Sequence, residues 1–301
     1  MIRSTLKSSK FGFTLVELLV VIGIIALLMA ISMPVLRKVR IASKVTMDSA
    51  AINSMGIGLE SFKNDIGYYP PSSPLPMNVS FDLIKTSGDP GADSESQPDT
   101  GAHRLFEALC GVDTLGYEKK GHYETSDGSG TYREQDIAGT PVAKDHFGNL
   151  IEAKRWGPYL ELKNVNFGPV SKGYKDGSDY GVENSNNVFL SKIDKEVDRP
   201  VLYYRANKRG RTIRDIYDVD DNIRLTRISV AGASYHTDFN TRSKFTQYLW
   251  DPTTGFGTTD EDKLNSTAAR PYNKDTFVLI NAGPDGFYGT YDDITNFKVN
   301  K

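Results

Sequence analysis

The longest pattern in the chain is an apolar run near its start that passes into a helical stripe. Phe13 to Leu36 is almost continuously apolar. About 20 such residues cross a bilayer, so this run is long enough to span one. Past Pro34, apolar positions recur every three or four residues: Val35, Val39, Ala42, Val45, Ile52, Met55, Leu59, Phe62 and Ile66, with Ser49 filling one place. Together they make one face of a helix. Lys38, Lys44, Asp48, Asn53 and Lys63 fall largely off that stripe. The pattern predicts one helix from about Phe13 to Asp65, its first half long and apolar enough for a membrane and its second half packed on a sheet. Gly56 and Gly58 weaken it by about 1 kcal/mol each, and they either permit close packing or are simply tolerated. Pro34 removes a helical hydrogen bond, marking a kink or the membrane exit. Gly67-Tyr68-Tyr69-Pro70-Pro71 stops the helix.

Weaker signals follow. Ser72 to Thr100 is rich in Pro, Ser, Asp and Gly and reads as a long loop with one short helical piece at Phe81–Lys85. His103 to Cys110 predicts a short helix with Leu105, Phe106 and Leu109 on one side, and Gly111 to Gly139 is again polar and glycine-rich. Asp145-His146-Phe147-Gly148-Asn149 and Trp156-Gly157-Pro158-Tyr159-Leu160 read as turns between short strands. Val201–Arg205 and Phe277–Ile280 are the clearest strands, from their β-branched and aromatic content.

Composition narrows the function. The chain has 301 residues, a net charge of −2 and 39% hydrophobic residues. It is long enough for one or two domains with a real core. Its charge is nearly balanced and no Lys/Arg run is interleaved with aromatics, so no nucleic-acid surface is expected. The single cysteine, Cys110, cannot form an internal disulfide and reads as a small core residue. His103, His122, His146 and His236 have no metal-ligand spacing, and neither a His-Glu-x-x-His pair nor a Gly-x-Ser-x-Gly elbow occurs. Asp218-Val219-Asp220-Asp221-Asn222 is acidic and reads as a solvated turn. No catalytic set assembles, so the chain is not expected to be an enzyme.

Glu17 is the anomaly in the apolar run. An acid at the centre of a membrane helix costs about 2.5–3.5 kcal/mol, and less near the end. It is either a tolerated interfacial acid or a carboxylate that needs a cation. A cut between Gly12 and Phe13 would place a new amino terminus one turn before Glu17, near the positive end of the helix dipole. A neighbouring subunit's amine could then neutralise it in a low dielectric. Arg3, Lys7 and Lys10 precede the run and favour a cytoplasmic start. Arg37, Lys38, Arg40 and Lys44 follow it, so the positive-inside rule alone does not set orientation. A cleaved secretory signal ending at Ala30-Ile31-Ser32 is the competing reading, though the run is long for one.

Lys10-Phe11-Gly12-Phe13-Thr14-Leu15-Val16-Glu17 resembles the prepilin cleavage and N-methylation motif of type IV pilins and type II secretion pseudopilins. The resemblance implies cleavage after Gly12 by a prepilin peptidase, methylation of the Phe13 amine, and docking guided by Glu17. Thr14 has no role beyond matching the motif. Gly67-x-Tyr69-Pro70 is similar to the pseudopilin helix end. Gly157-Pro158-Tyr159-Leu160 matches a run of the major pseudopilins, and Asp198 through Arg205 matches a second only in part, lacking its Trp-Gly. The likeness covers Ser8–Pro70 and Phe277–Phe297 well, and it fades over the long stretches between.

"FVLINAGPDGFYGTYDDITNF", Phe277 to Phe297, brings Asp285, Asp292 and Asp293 around one loop through turns at Gly283–Gly286 and Tyr288–Thr290. On spacing alone this is either a surface loop closed by Asx-turns or an oxygen-rich cation loop. It resembles the calcium loop of the major pseudopilin. The resemblance implies a structural Ca²⁺ held by Asp285 and Asp292, with Asp293 next, and by the carbonyls of Ile280 and Ala282. Without a disulfide, a metal would staple this end.

The expected architecture is α+β and pilin-like. It has a leader at 1–12, a membrane or filament-core helix at 13–36 and its amphipathic continuation at 37–66. A β-rich periplasmic domain then runs over 67–301, with a small antiparallel sheet, long loop insertions and an acidic loop at 280–297. The implied partners are the prepilin peptidase, other pseudopilins in a homo-oligomeric filament, and an inner-membrane assembly platform. Two rivals stand: a type IV pilin for adhesion or DNA uptake, and a membrane-anchored exported hydrolase or carbohydrate-binding protein. In the last, Tyr203, Tyr204, Trp156 and Trp250 would offer stacking rings, although core packing is the commoner use of such residues.

Overall fold

The computed structural model describes residues 14–72, 100–111, 114, 116–118, 143–144, 150–151, 155–170, 187–193, 198–226, 239 and 241–298. The helical piece expected at Phe81–Lys85, the turn Asp145–Asn149, the leader, and His122, His146 and His236 lie outside these residues. The chain divides into two compact units, Met1–Lys44 and Val45–Lys301.

In the first unit, a single helix carries the apolar run. Helix α1 begins at Leu15 and continues to Ile66, passing through Pro34 without interruption. Its side chains from Leu15 to Leu36 are exposed, most of them large and apolar. It is long and apolar enough to cross a membrane. Ser32 donates its hydroxyl to the Leu28 carbonyl at 2.7 Å, spending its polar group on the helix itself.

In the second unit, the stripe read from the sequence is the buried face of α1. Ile52, Met55, Leu59, Phe62 and Ile66 are all buried. Helix α2, Gly101–Cys110, packs beside it. A Cβ added at Gly58 would meet Leu109 Cδ2 at 2.9 Å and the Tyr159 carbonyl oxygen at 3.1 Å, so this glycine permits close packing. Gly56 has open space around it and is merely tolerated.

The strands are short and antiparallel. β1 (Tyr117–Glu118) pairs with β4 (Arg155–Trp156), β2 (Ala143–Lys144) with β3 (Leu150–Ile151), and β5 (Asn166–Gly168) with β6 (Val188–Leu190). The central sheet is β7 (Leu202–Arg205), β8 (Phe277–Asn281) and β9 (Ile294–Thr295), in that order. Leu202 faces Ile280 and Arg205 faces Phe277 across the first pair. The expected α+β architecture, a long helix with small antiparallel sheets, is what the chain adopts.

All five residues of β8 are buried, because the sheet is covered on both faces. Tyr203, Phe277 and Leu279 join Ile52, Met55 and Leu59 of α1 in one core. Leu202, Tyr204, Val278 and Ile280 face a second core with Val219, Leu225, Phe239, Phe245 and Leu249. That second cover comes mainly from residues 206–274, part of the long stretch over which the family likeness fades. Its described part carries a series of short helices: α3 (Ile213–Ile216), a 3₁₀ turn (Val219–Asn222), α4 (Ile223–Thr226), α5 (Arg242–Leu249) and α6 (Asp260–Asn265). It is a structural layer rather than decoration. Tyr203 and Tyr204 are fully buried within these cores, which removes them as stacking platforms.

Two acids expected in solvent are buried instead. Asp48, off the apolar stripe, is 2% exposed. Its carboxylate accepts from the Ser191 hydroxyl at 2.6 Å, the Lys192 amide at 3.1 Å and the Asn281 side-chain amide at 3.1 Å. It thereby ties α1 to the end of β6 and to β8. Asp221 accepts from the Ser72 hydroxyl, which in turn accepts from the Arg205 amide at 2.9 Å. Beside it Asn222 accepts from the Ala102 amide and donates to the Tyr203 carbonyl. Only Asp218 and Asp220 of that cluster meet water, and Arg242 bridges them. Burial pushes the Asp221 carboxyl up to about 7.

Asp48→Ala strands three donors and should lower unfolding stability by about 2–4 kcal/mol, read by denaturation. Asp221 works in the opposite sense. Its folded pKa lies above the ordinary carboxylate value of about 3.9, so the folded state holds its proton longer than the unfolded one. Its contribution to stability is therefore fully present below about pH 4 and is lost as pH rises through about 7. Asp221→Asn, which still accepts from Ser72, should flatten that decline and be the more stable form at pH 8. A thermal-melt series from pH 4 to pH 8 checks this.

Candidate functional site

Gly12 and Phe13, the expected cleavage and methylation positions, lie outside the described residues. Glu17 is placed, and it is already partnered. The Thr14 amide donates to Glu17 Oε2 at 2.9 Å, and the Thr14 hydroxyl donates to the same oxygen at 2.8 Å. The Glu17 amide returns a bond to the Thr14 hydroxyl at 3.2 Å. This is a capping box at the start of α1, with Thr14 as N-cap and Glu17 three residues on. The pattern Thr-x-x-Glu was present in the sequence, and it gives Thr14 the role that the motif match left blank.

The acidic loop forms as its turns predict. β8 ends at Asn281, and the Gly286 amide closes a turn on the Gly283 carbonyl at 3.0 Å. Gly283 is required here: an added Cβ would overlap the Asp292 carbonyl oxygen. The Asp285 amide donates to Asp292 Oδ2 at 3.1 Å, and the Phe287 amide donates to Asp285 Oδ1 at 2.8 Å. The Thr290 hydroxyl lies against both Asp292 and Asp293. Asp293 Oδ2 accepts from the Gly289 amide at 2.8 Å and from the Tyr248 hydroxyl at 2.7 Å. Tyr248 belongs to α5, so the helical layer reaches into this loop. Nothing in the spacing of the three acids pointed to it.

Burial, then its negative neighbours Asp285 and Asp292, push the Asp293 carboxyl up to about 7. Asp285 is raised as well, by burial first and by Asp292. The loop thus concentrates negative charge on oxygen donors, the chemistry a hard divalent cation takes. The carboxylates are also engaged by loop N–H and hydroxyl groups, as an Asx-turn loop would have them. Among the described residues, no group of three His, Cys, Asp or Glu side chains converges as a metal set. Ile280 sits inside the sheet, opposite Leu202 and Thr295, while Ala282 lies just past the end of β8.

The remaining candidates are structural. His103 closes the start of α2, its Nδ1 within 2.9 Å of the Thr100 hydroxyl, and burial lowers its pKa to about 4. Cys110 is buried, which raises its thiol to about 12, too high for a nucleophile. Trp156 is half-buried against the Phe62 cluster.

Residues 7–33 match a family model described as the prokaryotic N-terminal methylation motif. No curated protein and no solved structure matches the chain. The motif indicates a prepilin-like substrate of the type IV pilin or pseudopilin kind. It implies processing by a prepilin peptidase and assembly into a pilin-like filament, and it points to a structural subunit. Joined to the apolar first half of α1, it fits an inner-membrane-anchored protein.

The pH logic of the loop gives a check independent of any ligand. With folded pKa values raised, Asp285 and Asp293 hold protons that the unfolded chain releases, so in the metal-free protein their contribution to stability should fall as pH rises above about 4, through about 7 for Asp293. Tyr248→Phe, which removes a donor to ionised Asp293, should steepen that loss in a chelator-treated thermal melt.

Proposed function

We propose that this chain is a pseudopilin: a structural subunit of a type II secretion-like pseudopilus that drives protein export. The observation that carries the reading is the methylation motif at residues 7–33, continuous with an exposed apolar helix that starts on a Thr14–Glu17 capping box. The start of the chain lies in the cytoplasm and the folded domain in the periplasm. Cleavage after Gly12 frees the Phe13 amine beside Glu17.

The capping box explains how an acid is tolerated before assembly. In the lone subunit Thr14 satisfies the Glu17 carboxylate from its own chain. In the filament a neighbour's Phe13 amine takes that place, exchanging a neutral hydroxyl donor for a cation in a low-dielectric setting. The apolar surface of α1 supplies the area, and Glu17 supplies the register.

The acidic loop is the proposed Ca²⁺ site. Asp285 and Asp292, with Asp293 and the carbonyls of Ile280 and Ala282, would hold the ion, which would draw together carboxylates that do not converge without it and staple the loop to the sheet. Tyr248 and Gly289 fix the far oxygen of Asp293.

Glu17→Val should be cleaved normally yet assemble poorly, with filament yield reduced about tenfold or more. Filaments at wild-type yield would remove the docking role. Mass spectrometry of the mature start should find a methylated Phe13, whereas a start at Met33 would support a plain secreted protein. Added Ca²⁺ should raise the thermal midpoint of the wild type and leave Asp285→Ala unmoved.

A further inference from the structure

The layer formed by residues 206–274 does more than cover the sheet. Between α3, α5 and α6 it encloses an open cavity of about 360 Å³. The size is at the lower end for small-molecule sites, which run from roughly 300 to 1,000 Å³. The cavity belongs wholly to this layer. No residue of the acidic loop or of α1 lines it.

Its walls have a mixed chemistry. Arg214 comes from α3, Gln247 from α5, Asp260, Glu261 and Asn265 from α6, and Trp250 from the residue after α5. Trp250 is buried among Ile213, Ala269 and Leu264. Its indole N–H is buried and has no acceptor among the described residues. An anion entering the cavity would meet two carboxylates, and a cation would meet the guanidinium. A purely apolar ligand would desolvate these five polar side chains and also Ser243 and Thr246 without pairing them, at about 1–3 kcal/mol per stranded group. A neutral polyhydroxylated ligand avoids each penalty. Every hydroxyl both donates and accepts, so vicinal pairs can satisfy carboxylates, amides and a guanidinium together. The buried Trp250 indole N–H offers such a ligand one further donor.

We infer that this cavity is a binding site for a neutral saccharide of one or two rings. The layer then has two uses, closing the core on its inner side and recognising a sugar on its outer side. The inference stands apart from the filament and calcium readings, since the cavity shares no residue with either.

The test uses the full chain in amine-oxide micelles, which carry no sugar headgroup. Maltose, cellobiose and N,N′-diacetylchitobiose are the neutral probes, with galacturonic acid and glucosamine as charged controls. Isothermal titration and tryptophan fluorescence should show saturable binding of at least one neutral probe, with Kd near the millimolar range. Gln247→Ala and Glu261→Gln should each weaken it about tenfold with the thermal midpoint unchanged. Asn265→Ala replaces either variant if that one shifts the midpoint. The inference is overturned by no saturable binding of any neutral probe at about 50 mM. It is equally overturned by binding that survives these substitutions, or by a charged control that binds more tightly than every neutral probe.

Discussion

The central strand β8 is buried along its whole length, and that single constraint organises the folded domain. A strand buried on both sides needs two covers, and the chain supplies them from widely separated segments. On one face lie the second half of α1 and α2. On the other lies the helical layer from residues 206–274. Removing either would expose a row of large apolar side chains, each worth about 1.5–3 kcal/mol when buried. The layer is therefore bound into the same core as the helix.

Apolar contact alone leaves α1 free to slide, because Ile, Met and Leu pack almost equally well one turn away. Asp48 removes that freedom. Its three donors come from fixed points, the hydroxyl and amide after β6 and the side chain at the end of β8. A buried carboxylate tolerates only the register in which its partners meet it. On the far side of the sheet Asn222 does similar work, joining the α2 start to the β7 backbone. Polar groups thus set where the greasy surfaces meet.

This division explains what the sequence made legible. The period of α1, the strands at Val201–Arg205 and Phe277–Ile280, and the turns of the acidic loop all follow from local pattern, and they were readable. Asp48 and Asp221 were not. A carboxylate's burial depends on donors more than a hundred residues away, which no window of local sequence contains. The helical layer was missed for a related reason: its helices run four to eight residues, too short for a helical period to emerge. One clue was available, because Phe277–Ile280 is apolar at every position rather than alternating, the mark of a strand covered on both faces. The Thr14–Glu17 capping box was likewise visible as Thr-x-x-Glu, but the membrane setting drew attention to the charge rather than to the cap.

Tyr248 shows how these levels join. Its ring sits among Phe239 and Phe297, within the core of the helical layer. Its hydroxyl leaves that core to hold Asp293, whose other neighbours are acids in the same loop. The bond is favourable to ionised Asp293, while burial and the adjacent charges oppose ionisation. The loop is consequently held in shape by the layer, with the Arg199 guanidinium lying close to Gly286 at its first turn. The helical layer therefore sets the loop's shape, and ionising any one of these acids raises the cost of ionising its neighbours.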